Sequence, residues 1–336
     1  MKKDHWLLQK MAALPEEERE EVVTQLLAKI EAEPTSTVEE MGLALVAEFT
    51  DEAKLRAKSF GSMQGIGTGY DKLDKLMLGL VPGELIIVAG KTSRGKTTLA
   101  LNIANRVALN GHSVLFVTLE MTKVEIASRY IHINEDTPGN YDKVSALTVM
   151  QTRDELDWKS IDSLILKARE EMRVDLVVID HLHYFTRELE HVSEDLGRIT
   201  KEFKKNAIRH SVPVILISHV RKTGVKAEAS MEDLRGSSYL AQDADIVLMV
   251  GRKENDADHL FVKIEKNRNR GFDYEHDTAV LSLDKIKIFN DELEMNRVTG
   301  VHGQPFDGEI PEEFNKAAPE ESKEQTEQTV GAAPLF

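Results

Sequence analysis

The stretch from Leu85 to Thr98 constrains this chain more than any other. The apolar run Leu85-Ile86-Ile87-Val88-Ala89 reads as a buried strand. It enters Gly90-Lys91-Thr92-Ser93-Arg94-Gly95-Lys96-Thr97, which meets G-x-x-x-x-G-K-[ST] at every fixed position, and Thr98 to Leu109 continues as a helix. Strand, glycine-bounded loop and helix in that order form the setting in which backbone N–H groups cradle phosphate. Gly90 and Gly95 lack Cβ and can turn their amides inward. The helix N-terminus adds unpaired N–H groups and a favourable dipole. Lys96 is expected to reach the β- and γ-phosphates and the Thr97 hydroxyl to ligate Mg²⁺. Gly90, Lys91, Thr92, Ser93, Arg94, Gly95, Lys96, Thr97 and Thr98 are thus the expected contacts of ATP or another nucleoside triphosphate.

The 336 residues allow one large domain with additions, or two. There is no cysteine, which excludes disulfides and thiolate metal sites. No apolar run approaches the roughly 18 residues of a membrane span. The N-terminal Met1-Lys2-Lys3-Asp4-His5-Trp6 lacks the apolar core of a signal peptide, so a cytoplasmic protein without a membrane partner is expected. The net charge of −15 is unevenly spread. Residues 1–60 carry 8 Lys and Arg against 13 Asp and Glu, and residues 302–336 carry 2 against 8. The central block is close to neutral, and overall acidity does not exclude a phosphate-backbone partner there.

Residues 1–60 read as a helical N-terminal segment. Pro15 opens one helix, with Val22, Val23, Leu26, Leu27 and Ile30 at helical spacing. Ser36 and Glu39 offer a capping box for a second, from Val38 to Ser59. Gly61 to Gly69 is a glycine-rich turn. Beyond the first strand and helix, strands are expected at Val114–Leu119, Val174–Asp180, Val212–Ser218, Ile246–Val250 and Leu260–Ile264, with a β segment over Asp277–Phe289. Helices are expected from Val124, at Ile161–Met172 and at Glu194–Arg209, with a polar loop at Asn134–Asp142. Apolar strands alternating with helices imply an α/β fold with a mostly parallel sheet covered on both faces. That domain spans about residues 61–300, and residues 301–336 read as a disordered acidic tail.

Several side chains stand at strand ends, where open parallel sheets place their ligands. Asp180 can hold Mg²⁺ together with Thr97. Glu120 can orient and deprotonate a water, or it can be a solvated helix cap. His219 can bond the γ-phosphate, or it can be a structural hydrogen-bonding group. Lys266 and Arg268 lie in a basic cluster that reads as a solvated turn or, in a ring, as a finger into the neighbouring site. His183, Arg187, Arg221, Lys222 and Lys226 lie in segments rich in cationic and aromatic residues, suited to a single-stranded backbone and equally to a plain surface loop. The His181/His183 pair is set aside as a metal site, because no further ligand cluster accompanies it in sequence.

Together these residues resemble the RecA-fold hexameric replicative helicases of the DnaB family over about residues 63–290. Gly67-Thr68-Gly69-Tyr70 with Leu73-Asp74 is similar to the segment leading into that domain, and Gly90 to Thr98 to its phosphate loop. Leu119-Glu120-Met121 with Arg129 resembles the catalytic-glutamate motif, and Asp180 the metal-binding aspartate. Asp233-Leu234-Arg235-Gly236-Ser237, running on to Gln242-Asp243-Ala244-Asp245, is the most specific match; in the family it borders the DNA channel, which makes Arg235 and Gly236 expected DNA contacts. Lys266-Asn267-Arg268 resembles the pair that reaches across the subunit interface. The resemblance implies a RecA-like P-loop NTPase core and an ATP-dependent DNA helicase that translocates on single-stranded DNA in replication as a ring, the family's hexamer. Departures are informative. His219 stands where DnaB proteins usually carry Gln, as in phage and mitochondrial replicative helicases, and Arg270 interrupts the usual Asn-Gly after the finger. Residues 1–60 are shorter than the usual DnaB N-terminal domain. Two rivals stay open at this point: a RadA-like recombinase ATPase that remodels DNA without unwinding, and an assembly factor locked by nucleotide. The tail ending Pro334-Leu335-Phe336 is a solubilising tail or a docking peptide for a replication partner.

Overall fold

The computed structural model describes residues 63–118, 120–152, 157–182, 185, 192–219, 242–253, 256–268 and 278–300. The helices expected in residues 1–60, the tail 301–336 and the expected DNA contacts His183, Arg187, Arg221, Lys222, Lys226, Arg235 and Gly236 lie outside the described residues.

Among the described residues, nine strands form one sheet: β1 (Leu85–Gly90), β2 (Val114–Thr118), β3 (Thr148–Thr152), β4 (Leu176–Asp180), β5 (Val214–His219), β6 (Ile246–Gly251), β7 (His259–Asn267), β8 (Thr278–Asp284) and β9 (Lys287–Phe289). Their spatial order is β3-β2-β4-β5-β1-β6-β7-β8-β9. The six from β3 to β6 are parallel, and β7, β8 and β9 add an antiparallel flank. The chain is therefore α/β, as its alternating apolar runs imply.

Burial on both faces explains why those runs are continuous rather than alternating. Ile86 and Val88 of β1 point into one core with Leu99, Ile103 and Val107 of α2 (Lys96–Leu109), Ile126 of α3 (Lys123–Ile133) and Leu73 of α1 (Asp71–Met77). Leu85, Ile87 and Ala89 point into the other, with Ile161 and Ile165 of α5 (Ile161–Met172) and Ile199 and Phe203 of α6 (Val192–Arg209). Each such aliphatic side chain, fully buried, contributes about 1.5–3 kcal/mol. A one-residue slip of β1 would exchange the two sets, so packing fixes the register.

The expected loop at Asn134–Asp142 is shorter than its composition suggests. Helix α4 (Asn140–Leu147) begins inside it and leads into β3, which pairs with β2 along the sheet edge. Thr148-Val149-Met150-Gln151-Thr152 is short, with three polar residues of five, so no apolar run marks it as a strand. A last helix, α7 (Glu292–Thr299), starts at Asp291, whose carboxylate accepts the Glu294 N–H at 2.8 Å. The segment before the sheet is pinned by polar contacts. Asp74 accepts from the Thr68 N–H and hydroxyl, and Arg106 of α2 lies 4.4 Å from the Tyr70 ring centroid, donates to Gly69 O and pairs with Glu294 at 2.7 Å.

Candidate nucleotide site

Strand register brings the candidate residues to one edge. Gly90, at the end of β1, is paired with His219 at the end of β5; Thr118, at the end of β2, is paired with Asp180 at the end of β4. All four strands are parallel, so these are carboxyl ends, and the chain leaves each one at the same side of the sheet. Glu120 follows two residues after β2. The Thr118 hydroxyl accepts from the Glu120 and Met121 amides at 3.4 and 3.1 Å, and the Thr122/Glu125 capping box then starts α3.

Two glycines permit the loop. A Cβ on Gly90 would lie 2.4 Å from Val250 O, so β6 can approach β1 there only with glycine. Gly95 has φ +100° and caps the N-terminus of α2, in a conformation that L side chains rarely adopt. Lys96 is buried and donates to Lys91 O at 2.8 Å, curling back over the loop. Burial pushes its pKa down to about 8, against the pull of Asp180 and Glu120. Arg94 donates outward to Arg252 O at 3.0 Å.

Thr97 donates to Asp180 Oδ1 at 3.2 Å. Asp180 is almost fully buried, and burial, with the nearby Glu120 charge second, pushes its pKa up to about 7; Thr97, Lys96 and Arg129 oppose the shift. Its Oδ2 is buried with no hydrogen-bond partner among the described residues. An orphaned carboxylate oxygen beside a threonine hydroxyl fits a hard dication with oxygen ligands, which would restore the negative charge that burial disfavours.

His181 joins two of the expected residues, a role not legible from its place one residue after Asp180. Its Nδ1 lies 3.0 Å from Glu120 Oε2 and 3.2 Å from His219 Nε2. The Nδ1 of His219 lies 3.4 Å from the Thr92 hydroxyl, so a polar chain runs from the phosphate loop to Glu120. The ligand cluster missing in sequence is thus present in space: Glu120, His181 and His219 come from three different strand ends and meet only once β2, β4 and β5 are assembled.

Lys266 and Arg268 are not part of this cluster. Lys266 lies in the last residues of β7 and Arg268 directly follows the strand; β7 runs antiparallel to β6, so both sit beside the amino ends of β6 and β1. The length of β1, six residues and about 17 Å at ~3.3 Å per step, separates them from the loop edge. Both donate to Gln242 O, and Arg268 also pairs with Asp245 at 3.4 Å. Burial first, and then the charge of Arg268, lowers the pKa of Lys266.

The sequence model of the family described as "DnaB-like helicase C terminal domain" matches residues 65–140 and 140–274. The chain belongs to this family. Among DnaB-like relatives, the "Replicative DNA helicase DnaB" of Leifsonia xyli subsp. xyli (strain CTCB07) is 30% identical over 230 residues, covering 60% of this chain and 50% of the relative. The "Probable plasmid replicative DNA helicase" of Chlamydia psittaci is 30% identical over 217 residues, 57% of this chain and 47% of that one. This DnaB-like chain spans about half the length of these curated relatives. Its fold is shared with the solved structure described as "The Structure Of A DnaB-Like Replicative Helicase And Its Interactions With Primase", at TM-score 0.61 and 20% identity over 81% of this chain and 76% of that one. The fold is RecA-like. Among the described residues, no helix is long and apolar enough to cross a membrane.

Proposed function

We propose that this chain is the motor of an ATP-dependent replicative DNA helicase, acting on single-stranded DNA as a ring-shaped homo-oligomer, a hexamer. The observation that carries the reading is the convergence of Lys96, Thr97, Asp180 and Glu120 at one edge of a sheet whose opposite edge carries Lys266 and Arg268. Half a site on each edge suits subunits packed head to tail around a ring.

In this reading the loop amides and Lys96 hold the β- and γ-phosphates, and Thr97 and Asp180 hold Mg²⁺, which would neutralise phosphate charge. Glu120 orients a water and accepts its proton as the water oxygen attacks the γ-phosphorus and the bond to the bridging oxygen breaks, leaving ADP and phosphate. His219, one hydrogen bond from Thr92, reports the loss of the γ-phosphate. Lys266 and Arg268 complete the neighbour's site. The proposed DNA contacts His183 and Arg187 follow on Asp180 in sequence, and Arg221, Lys222 and Lys226 follow on His219, which supports coupling between hydrolysis and strand movement. Arg235 and Gly236 are proposed to border the channel. The acidic tail keeps the assembly soluble or, as the alternative, docks a replication partner, and the protein acts in the cytoplasm.

Strand displacement on a forked DNA duplex, with Lys96→Ala as control, tests the reading. Unwinding is expected with ATP, with turnover stimulated by single-stranded DNA. An arginine finger contributes about 10³–10⁵-fold in other phosphate-hydrolysing systems, so turnover per chain should collapse on dilution below assembly. DNA-stimulated hydrolysis without displacement would point to a remodelling ATPase, and absent turnover to an assembly factor. Unchanged partner binding after deletion of residues 320–336 would retire the docking peptide.

A further inference from the structure

We propose that Glu120, His181 and His219 form a binding site for a borderline transition-metal dication of the zinc class, separate from the Thr97/Asp180 oxygen site. One carboxylate oxygen and two imidazole nitrogens offered by these residues all lie within 4.8 Å of one another. The two shortest edges, Oε2 to Nδ1 at 3.0 Å and Nδ1 to Nε2 at 3.2 Å, are close to the separation of neighbouring ligands on a tetrahedral zinc, about 3.3 Å for bonds of about 2.0–2.1 Å. The third edge, between Glu120 and His219, lies within 4.8 Å, and turning these side chains towards a shared ion would bring it to that spacing.

Within this cluster, Glu120 and His219 both approach the one Nδ1 of His181. If His181 Nδ1 carries a proton, one hydrogen is shared between a carboxylate and an imidazole; if it does not, its lone pair faces the Glu120 carboxylate. A cation at the meeting point satisfies all three donors at once. The second nitrogen of His219 is directed at the Thr92 hydroxyl, the kind of outer contact that fixes the tautomer and orientation of a metal-binding imidazole. His181 also holds φ +81°, a conformation costly for a residue with a Cβ and characteristic of constrained functional positions.

The donor set selects the metal. Two imidazoles and one carboxylate suit zinc, cobalt, nickel and copper, whereas Mg²⁺ takes oxygen ligands and keeps its waters. Three protein donors leave a fourth position for water. Binding does not depend on the proposed function. One consequence does: a metal that captures Glu120 removes the residue proposed to activate water, and so arrests hydrolysis.

The test uses tag-free full-length protein without nucleotide. Titration with ZnCl₂ against a chromophoric chelator should find one competing site per chain, and Co²⁺ in its place should give the visible absorption of a tetrahedral ion. Zinc X-ray absorption should show two imidazoles. His181→Ala and His219→Ala should each weaken binding at least about tenfold, as even outer-contact losses cost 10–100-fold. His132→Ala, at an exposed histidine on α3, should not change it. The site is overturned by a wild type without saturable binding, by fewer than two imidazoles on the bound zinc, or by unchanged affinity in His181→Ala. The X-ray absorption result needs no variant to fold. Zinc held by both imidazoles with ATP turnover unaffected leaves the site standing and instead removes Glu120 from the hydrolysis reading.

Discussion

The Thr97 hydroxyl donates to one oxygen of Asp180 at 3.2 Å, and the second oxygen of that carboxylate is buried with no partner among the described residues. Burial holds its pKa up at about 7, so between about pH 4 and pH 7 the folded chain retains a proton that the unfolded chain has lost. Stability from this group is therefore full below about pH 4 and lost as pH rises through about 7. Asp180→Asn cannot ionise and should flatten that slope. Thermal melts in the metal-free protein should show the variant more stable than wild type at pH 8, with the gap closing towards pH 4. A gap independent of pH would sink the account. The same substitution should abolish Mg²⁺-dependent turnover.

Lys96 faces the opposite problem, a cation lowered to a pKa of about 8 by burial and paired with Lys91 O at 2.8 Å. Lys96→Met keeps the stem and removes the charge. A charge-assisted hydrogen bond is worth about 1.5–3 kcal/mol, so nucleotide affinity should fall about 10–150-fold, read by titration with a fluorescent nucleotide analogue. The melting temperature of the nucleotide-free protein should not fall, because burial disfavours the charge being removed. A variant that unfolds earlier and binds nucleotide normally would show that Lys96 is structural.

Legibility follows from how local each signal is. Gly90 to Thr97 is a contiguous pattern, and Asp180 and Glu120 each close an apolar run, so all are visible along the chain. Which strand ends meet is not local. The pairings Thr118 with Asp180 and Gly90 with His219 exist only in the assembled sheet, and they make His181 a neighbour of Glu120. The edge strand β3 is missed for a different reason: three of its five residues are polar, and pairing with β2 supplies what propensity does not. Likewise, the separation of Lys266 and Arg268 from the loop rests on the antiparallel sense of β7, which no apolar run encodes.

Gly95 and Gly90 differ in what a methyl group would meet. At Gly95 it would face Leu260 Cδ1 at 2.7 Å, which can swing away, so the main cost of Gly95→Ala is φ +100°, about 1–3 kcal/mol. At Gly90 the obstacle is Val250 O at 2.4 Å, backbone of a strand paired with β1. Gly90→Ala must part β1 from β6 and should lose more stability than Gly95→Ala in urea denaturation. The reverse order would mean that the loop, rather than the strand pair, absorbs the change.

Asp245 holds the opposite edge together. Its buried carboxylate accepts the Leu85 N–H at 2.8 Å, Lys204 Nζ at 2.6 Å and Arg268 Nη1 at 3.4 Å, tying the start of β1 to α6 and to the end of β7. Asp245→Ala leaves the Leu85 amide without this acceptor and Lys204 without its counter-charge. Breaking a fully buried pair costs about 3–5 kcal/mol, and because Lys204 is only partly buried the loss here should fall below that range. Asp245→Asn keeps an acceptor for the Leu85 amide and gives up only the charge, so it should cost clearly less. The two variants should therefore separate in urea midpoint, with Asn between wild type and Ala. Equal losses would assign the whole effect to the ion pair and none to the Leu85 amide. Because the same carboxylate anchors Arg268, Asp245→Asn should also lower turnover in the assembled protein without changing nucleotide affinity, if Arg268 serves a neighbouring site.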